Sequence, residues 1–256
     1  MFKFKDNYGL IDLLEIMALL RSENGCPWDR EQDHHSIRMN LIEEAYEVAE
    51  AIDNDDTPLL KEELGDLLLQ VVFHARIEQE IGSFDFNEVC NDICKKLIYR
   101  HPHVFGDVSA ENSEQVLKNW DELKQKSKGQ DKVYQTLESV PKTLPALMKA
   151  QKVGKRAAKS GADFSNNAEI FSCLRKALDD IENNVNDEKI QHIDEKLGDF
   201  LLFYCDLLRM LDKNAEKLLT DSINRFIMRF RDVELSNNEN DGTIRNNAVR
   251  NIETAL

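Results

Sequence analysis

Apolar residues recur every three or four positions through most of the chain. Leu10, Leu13, Leu14, Met17 and Leu20 form one such stripe, and the spacing predicts a helix over 10–20. Leu41, Ala45, Val48 and Ile52 mark a second helix, and Leu64, Leu67, Leu68, Val71 and Val72 a third, longer one. A fourth is predicted from about Phe86 to Tyr99, stopped at His101-Pro102, and a fifth from about Ser113 to Lys126. With only 10 Gly and 5 Pro, the chain lacks the punctuation of a turn-rich all-β fold. The pattern predicts an all-α protein.

The second half repeats the plan of the first. Leu64-Gly65-Asp66 recurs as Leu197-Gly198-Asp199, an offset of 133 residues (66 to 199). The same offset lays Ile11 and Leu14 onto Leu144 and Leu147, and Glu47 onto Asp180. Self-similarity at one fixed offset implies two copies of one helical unit. The expected boundaries are 1–128 for the first unit, a polar linker over 129–143 with Pro141 near its end, and 144–256 for the second. The Asn-rich stretch from Ser236 onward reads as a loose tail.

Charge narrows the function. The 48 Asp and Glu against 33 Lys and Arg give a net charge of −15. Bulk electrostatics then disfavour a nucleic-acid polymer as partner, since backbone binding needs a basic footprint. A phosphorylated small molecule stays compatible if a divalent metal reconciles it with the acidic protein. Asp12 and Glu15 interrupt the apolar run Leu10 to Leu20, which makes it an amphipathic helix and not an export signal. No window reaches the length of a membrane span. The five scattered cysteines, Cys26, Cys90, Cys94, Cys173 and Cys205, read as reduced thiols of a cytoplasmic protein.

The acids are patterned. Glu44 and Glu47 are three apart on the predicted second helix, and Glu63 and Asp66 repeat that spacing on the third. Residues three apart share a helix face. If the two helices pack antiparallel, the four carboxylates converge, which is the oxygen-rich setting a magnesium ion takes. A solvated acidic face would show the same spacing, and spacing alone leaves both readings open. Gly65 inside a strong helix costs about 1 kcal/mol relative to Ala, and predicts close approach of a neighbouring helix or a ligand.

Glu43-Glu44-x-x-Glu47 followed by Glu63-x-x-Asp66 resembles the EExxE…ExxD signature of the all-α nucleoside triphosphate pyrophosphohydrolases. Gly25-Cys26-Pro27-Trp28-Asp29 and Arg100-His101-Pro102-His103-Val104-Phe105 resemble marks of the MazG branch. The resemblance runs from about residue 10 to 235, as two tandem MazG-like units. It implies a four-helix-type unit acting as an intertwined homodimer. It also implies cleavage of NTPs or dNTPs between the α- and β-phosphates, to NMP and pyrophosphate. By position Glu44, Glu47, Glu63 and Asp66 match the metal ligands, for Mg2+ or Mn2+ in its place, and Glu43 matches the acid beside the attacking water. Lys96 and Arg100, four apart on one face, match phosphate contacts. Trp120 matches an aromatic near the base, and Lys61 is a weaker substrate contact.

The second copy departs from this signature. At the offset of 133, Glu43 becomes Lys176, Glu44 becomes Ala177, Glu47 becomes Asp180, Glu63 becomes Lys196 and Asp66 stays acidic as Asp199. Two ammonium groups there would repel Mg2+ and pair with the surviving aspartates. Activity is therefore expected in the first unit. A nucleotide-sensing or partner-binding dimer with little turnover is the competing reading. His34-His35 shows no Cys or His partner in the sequence, and no glycine-rich phosphate loop is present.

Overall fold

The structure, a computed structural model, describes residues 2–109, 112–127, 132–186 and 193–237. The chain divides into two compact units, Met1–Leu123 and Lys124–Leu256. Among the described residues all regular structure is helical. The first unit contains α1 (Leu10–Leu20), α2 (Pro27–Glu31), α3 (Arg38–Asp53), α4 (Thr57–Glu80), α5 (Phe86–Arg100), α6 (Pro102–Phe105) and most of α7 (Ser113–Ser127). The second contains α8 (Val133–Glu138), α9 (Ala146–Lys159), α10 (Asn167–Asn186), α11 (Ile193–Met210) and α12 (Ala215–Asn237).

The core of the first unit gathers at one end of α4. Met17 from α1, Ile37 just before α3, and Val72, Phe73 and Ile77 from α4 are all buried, with Leu13, Leu14, Leu69 and Phe86 packed against them. Burying a side chain of this size contributes roughly 1.5–3 kcal/mol. Arg21, just past the end of α1, ties the pieces together. Its guanidinium pairs with Glu80 at 2.8 Å, donates to the carbonyls of Gln32 at 3.1 Å and of Asp29, and lies 5.2 Å from the centroid of the Phe73 ring. The turn after α1 depends on Gly25. Its amide donates to the Ser22 carbonyl at 2.8 Å and the Cys26 amide to the Leu20 carbonyl at 2.7 Å, and a Cβ on Gly25 would run into the carbonyl oxygens of Leu19 and Leu20. The glycine of the Gly-Cys-Pro-Trp-Asp motif is thus required by backbone packing.

The turn between α3 and α4 sets the functional geometry. Asp55 takes a left-handed conformation, φ 54°, which Asp tolerates better than most side chains. Asp56 then caps α4, its carboxylate accepting from the Leu59 amide at 3.0 Å, and Pro58 sits in the first turn, where no amide is needed. So short a connection folds α3 back along α4. A reciprocal cap starts α5: Asp85 accepts from the Glu88 amide at 2.9 Å while Glu88 accepts from the Asp85 amide at 3.0 Å.

In the second unit, α9, α10, α11 and α12 pack around two small clusters. Ile170, Leu174 and Leu207 form one, with Phe164, Phe200, Phe203 and Met210 against it. Cys205, Leu208 and Ala215 form the other, with Leu147 and Ala150. The stretch read as a linker is partly helical. Its α8 is held to α9 by Arg156, which donates to the Thr136 carbonyl and to Ser139 Oγ at 2.8 Å, and Val140 is buried. Of that stretch residues 129–131 lie outside the described residues, and so does the tail from 238. All five cysteines are free thiols. No helix among the described residues is long and apolar enough to cross a membrane.

Candidate active site

Antiparallel packing of α3 on α4 places the two acidic pairs opposite each other. Carboxylate oxygens of Glu44, Glu63 and Asp66 all lie within 4.8 Å of one another. The three side chains are half-buried. Burial pushes the Glu44 carboxyl above the usual carboxylate range, and the Glu47 carboxyl beside it and the charges of Asp66 and Glu63 push it further. Glu63 is raised by partial burial and then by Glu47, Asp66 and Glu62. Glu47 is more exposed and stands beside this trio, outside its tightest grouping. Like charges held so close resist joint ionisation unless a cation or a proton intervenes.

Glu43 is exposed one position before Glu44, without a hydrogen bond or ion pair among the described residues. Lys61 is exposed on α4, and Lys96 is exposed on α5. Arg100, one turn past Lys96, is only 9% exposed. Its guanidinium lies 5.2 Å from the centroid of the Trp120 ring, within the reach of a cation–π contact. The Arg100 Nε is buried without a hydrogen-bond partner. This pair belongs to α5 and α7, whereas the acids belong to α3 and α4. Gly65 has open space around it: a Cβ there would meet nothing within 4 Å. The expectation that a neighbouring helix presses on Gly65 therefore fails within this chain.

Comparison with known proteins follows the same residues. The chain matches the MazG nucleotide pyrophosphohydrolase domain over residues 32–105, a span that contains all four acidic positions. It is 43% identical to the nucleoside triphosphate pyrophosphohydrolase of Escherichia coli (strain K12) over 225 residues, covering 87% of this chain and 86% of that protein. The chain belongs to the MazG family. A second member, the nucleoside triphosphate pyrophosphohydrolase/pyrophosphatase MazG of Thermotoga maritima, is 37% identical over 223 residues, 87% of this chain and 84% of its own. The nucleoside triphosphate pyrophosphohydrolase of Mycobacterium tuberculosis is 39% identical over 154 residues, 59% of this chain and 46% of its own.

One polar cluster of this MazG chain escaped the sequence reading. His34, for which no histidine partner was expected, faces His74 of α4 with Nδ1 to Nδ1 at 2.7 Å, and its Nε2 lies 2.6 Å from Glu78 Oε1. If His34 donates from Nε2 to the carboxylate, its neutral ring accepts at Nδ1, so His74 donates from Nδ1 and its Nε2 is the bare nitrogen. That Nε2 is buried without a partner. Burial, and then the neighbouring His34, hold the His74 imidazole below its ordinary value. Forty positions separate the two histidines, and only the packing of the loop before α3 on α4 joins them.

The equivalent positions in the second unit also meet. Lys196 of α11 pairs with Asp180 of α10 at 3.7 Å, the pairing that the charge pattern predicts.

Proposed function

We propose that the chain hydrolyses nucleoside triphosphates at the α–β phosphate bond, releasing NMP and pyrophosphate, in the cytoplasm, at a metal centre on the α3–α4 pair of the first unit. Membership of the MazG family and the convergence of Glu44, Glu63 and Asp66 within 4.8 Å carry this reading. The donor set suits a hard divalent cation: all ligand atoms are carboxylate oxygens, and the raised Glu44 and Glu63 carboxyls report a negative charge excess that a cation would relieve. Glu44, Glu47, Glu63 and Asp66 would hold Mg2+, or Mn2+ in its place. Such an ion lowers the pKa of a bound water and neutralises phosphate charge. Glu43, exposed beside the site, has an unengaged carboxylate to take a proton from the attacking water. Lys61, Lys96 and Arg100 are the cations assigned to the phosphate oxygens, and Trp120 to the base, whose stacking on an indole tolerates several bases. Arg100 acts with Trp120 as a pair, since each orients the other.

Exposed apolar residues support a homodimer. Ile93, Leu97 and Ile98 of α5 and Leu219, Phe226 and Ile227 of α12 are all exposed, more apolar surface than a monomer of this size leaves in water. Sedimentation at micromolar concentration should give a dimer or a higher even oligomer. The activity is tested by the product: with Mg2+ and several NTPs the protein should release pyrophosphate, and EDTA should silence it. Orthophosphate as primary product would refute cleavage at the α–β bond.

A further inference from the structure

Between α10 and α11 of the second unit lies a cavity of about 290 Å³, lined by Lys176, Ala177, Asp180, Lys196, Asp199 and Phe203 among others. At the offset of 133 residues these positions answer to the acidic site of the first unit: Lys176 stands for Glu43, Ala177 for Glu44, Asp180 for Glu47, Lys196 for Glu63 and Asp199 for Asp66. We propose that this cavity binds a nucleoside monophosphate without any divalent metal and without hydrolysing it.

The charge of the site supports the absence of metal. Two lysines and two aspartates sum to zero, where the first unit has carboxylates alone, so nothing in the cavity calls for an added cation. The Lys196 ammonium is already drawn to Asp180, but at 3.7 Å the contact is electrostatic and too long for a hydrogen bond. Its donors stay uncommitted. Lys176 has no hydrogen bond or ion pair among the described residues. Two ammonium groups with three donors each therefore face a space that can admit phosphate oxygens.

The remaining lining narrows the ligand class. A bare anion would meet Asp180 and Asp199 without compensation. A molecule that also carries hydroxyl donors can give those to the aspartates while its phosphate faces the lysines. Phe203 supplies an apolar wall for a flat ring. Phosphate, vicinal hydroxyls and a planar ring together describe a nucleoside monophosphate. The volume lies at the lower end of the ~300–1,000 Å³ typical of ligand clefts. A triphosphate is disfavoured, because a site of zero net charge has no metal to offset the additional phosphates. An ammonium does not acidify a water as a bound metal does, so binding without turnover follows. The monophosphate released by the proposed reaction would be one source of the ligand, and only this last point rests on that reading.

The test uses the full-length protein in EDTA, with AMP as probe and adenosine and inorganic phosphate as the other arms, read by isothermal titration. AMP should bind, with adenosine and phosphate each weaker by at least about tenfold, since neither satisfies both halves of the site. Lys176→Gln with Lys196→Gln should weaken AMP by at least about tenfold. Ala177→Leu should also weaken it, by filling the cavity from a helix position that accepts leucine, with an unchanged circular dichroism spectrum as the control for folding. Glu44→Gln in the first unit should leave AMP binding in place. The proposal is overturned if AMP fails to bind in EDTA, if phosphate alone binds as tightly, or if the lysine pair can be removed without loss. None of these outcomes depends on pyrophosphate release, so failure here and failure of the proposed hydrolysis are told apart.

Discussion

Replacing Glu44 by Gln removes one negative charge from the α3–α4 cluster and keeps the size of the side chain. Its carboxyl is raised by burial first and then by Glu47, Asp66 and Glu63. Against a like charge 4.8 Å away, the repulsion is about 1 kcal/mol in a water-like dielectric and larger where solvent is thinned. Without metal the variant is relieved of this, so it should melt higher than the wild type, by about 2–4 °C per kcal/mol for a chain of this length. The sign with pH follows. A carboxyl whose folded pKa is raised contributes stability that is complete at low pH and is lost as pH rises through the folded value. The advantage of the variant should therefore be absent in acid, appear as pH rises through that raised value, and be full at neutrality. With Mg2+ the effect on catalysis is opposite. A lost ligand weakens the hold on a cation that neutralises charge in the transition state, and kcat/KM should fall at least about a hundredfold, or about 2.7 kcal/mol. Pyrophosphate release with Mg2+ and thermal melts in EDTA read the two effects separately. Turnover within about threefold of wild type, or a variant that melts lower in EDTA at pH 7, would refute the argument that these carboxylates crowd one another at a metal site.

Three further predictions concern positions around that site. Glu63→Ala should lower turnover by at least about a hundredfold, and Asp199→Ala at the matching position of the second unit at least tenfold less than that; the reverse order in a pyrophosphate assay would move the active site to the second unit. Gly65→Ala should stabilise the fold by about 0.5–1 kcal/mol in denaturant melts, because a Cβ there meets nothing within 4 Å; a loss of stability would show that a second copy of the chain presses on this face. His74, held below its ordinary value by burial and then by His34, contributes stability that is present above the unfolded value of about 6.5 and is lost as pH falls through the folded one, so His74→Gln should melt with a flatter pH dependence between neutrality and pH 5 than the wild type; equal slopes would remove His74 from the account.

The long helices were legible because burial imprints a period on them. The helix expected over 10–20 is α1, Leu10–Leu20, and the one expected from Phe86 is α5, which runs on one residue past Tyr99 to Arg100 before His101-Pro102 ends it. Helices α2, α6 and α8 were not legible, since four to six residues are too few to show a period of 3.6. α8 also lies in a stretch whose polar composition reads as a connection, and it is the tertiary bond from Arg156 that gives it a place. The convergence of Glu44, Glu63 and Asp66 could be anticipated because a two-helix hairpin brings like-spaced residues together whatever its details. The His34–His74 contact could not, because the loop before α3 carries no period and its path depends on the burial of Ile37. Gly65 was misjudged for a related reason: sequence shows the missing side chain but not what occupies the space.

Fold and chemistry use different parts of the same helices. On α4 the buried residues Val72, Phe73 and Ile77 lie in the C-terminal half, while Glu63 and Asp66 lie nearer the N-terminus and add little to the core. The charge at the site can therefore change at small cost to packing. The second unit shows this: Ile170, Leu174 and Leu207 are buried between α10 and α11, although Lys176, Ala177 and Lys196 stand where the first unit has glutamates. A packed helix pair is thus no evidence of a metal site, and function has to be argued from the site itself. What distinguishes the two is the sign of a few side chains. Carboxylates alone require a cation before they can meet a phosphate, whereas a pair of lysines brings its own positive charge and with it the ability to bind phosphate but not to activate water.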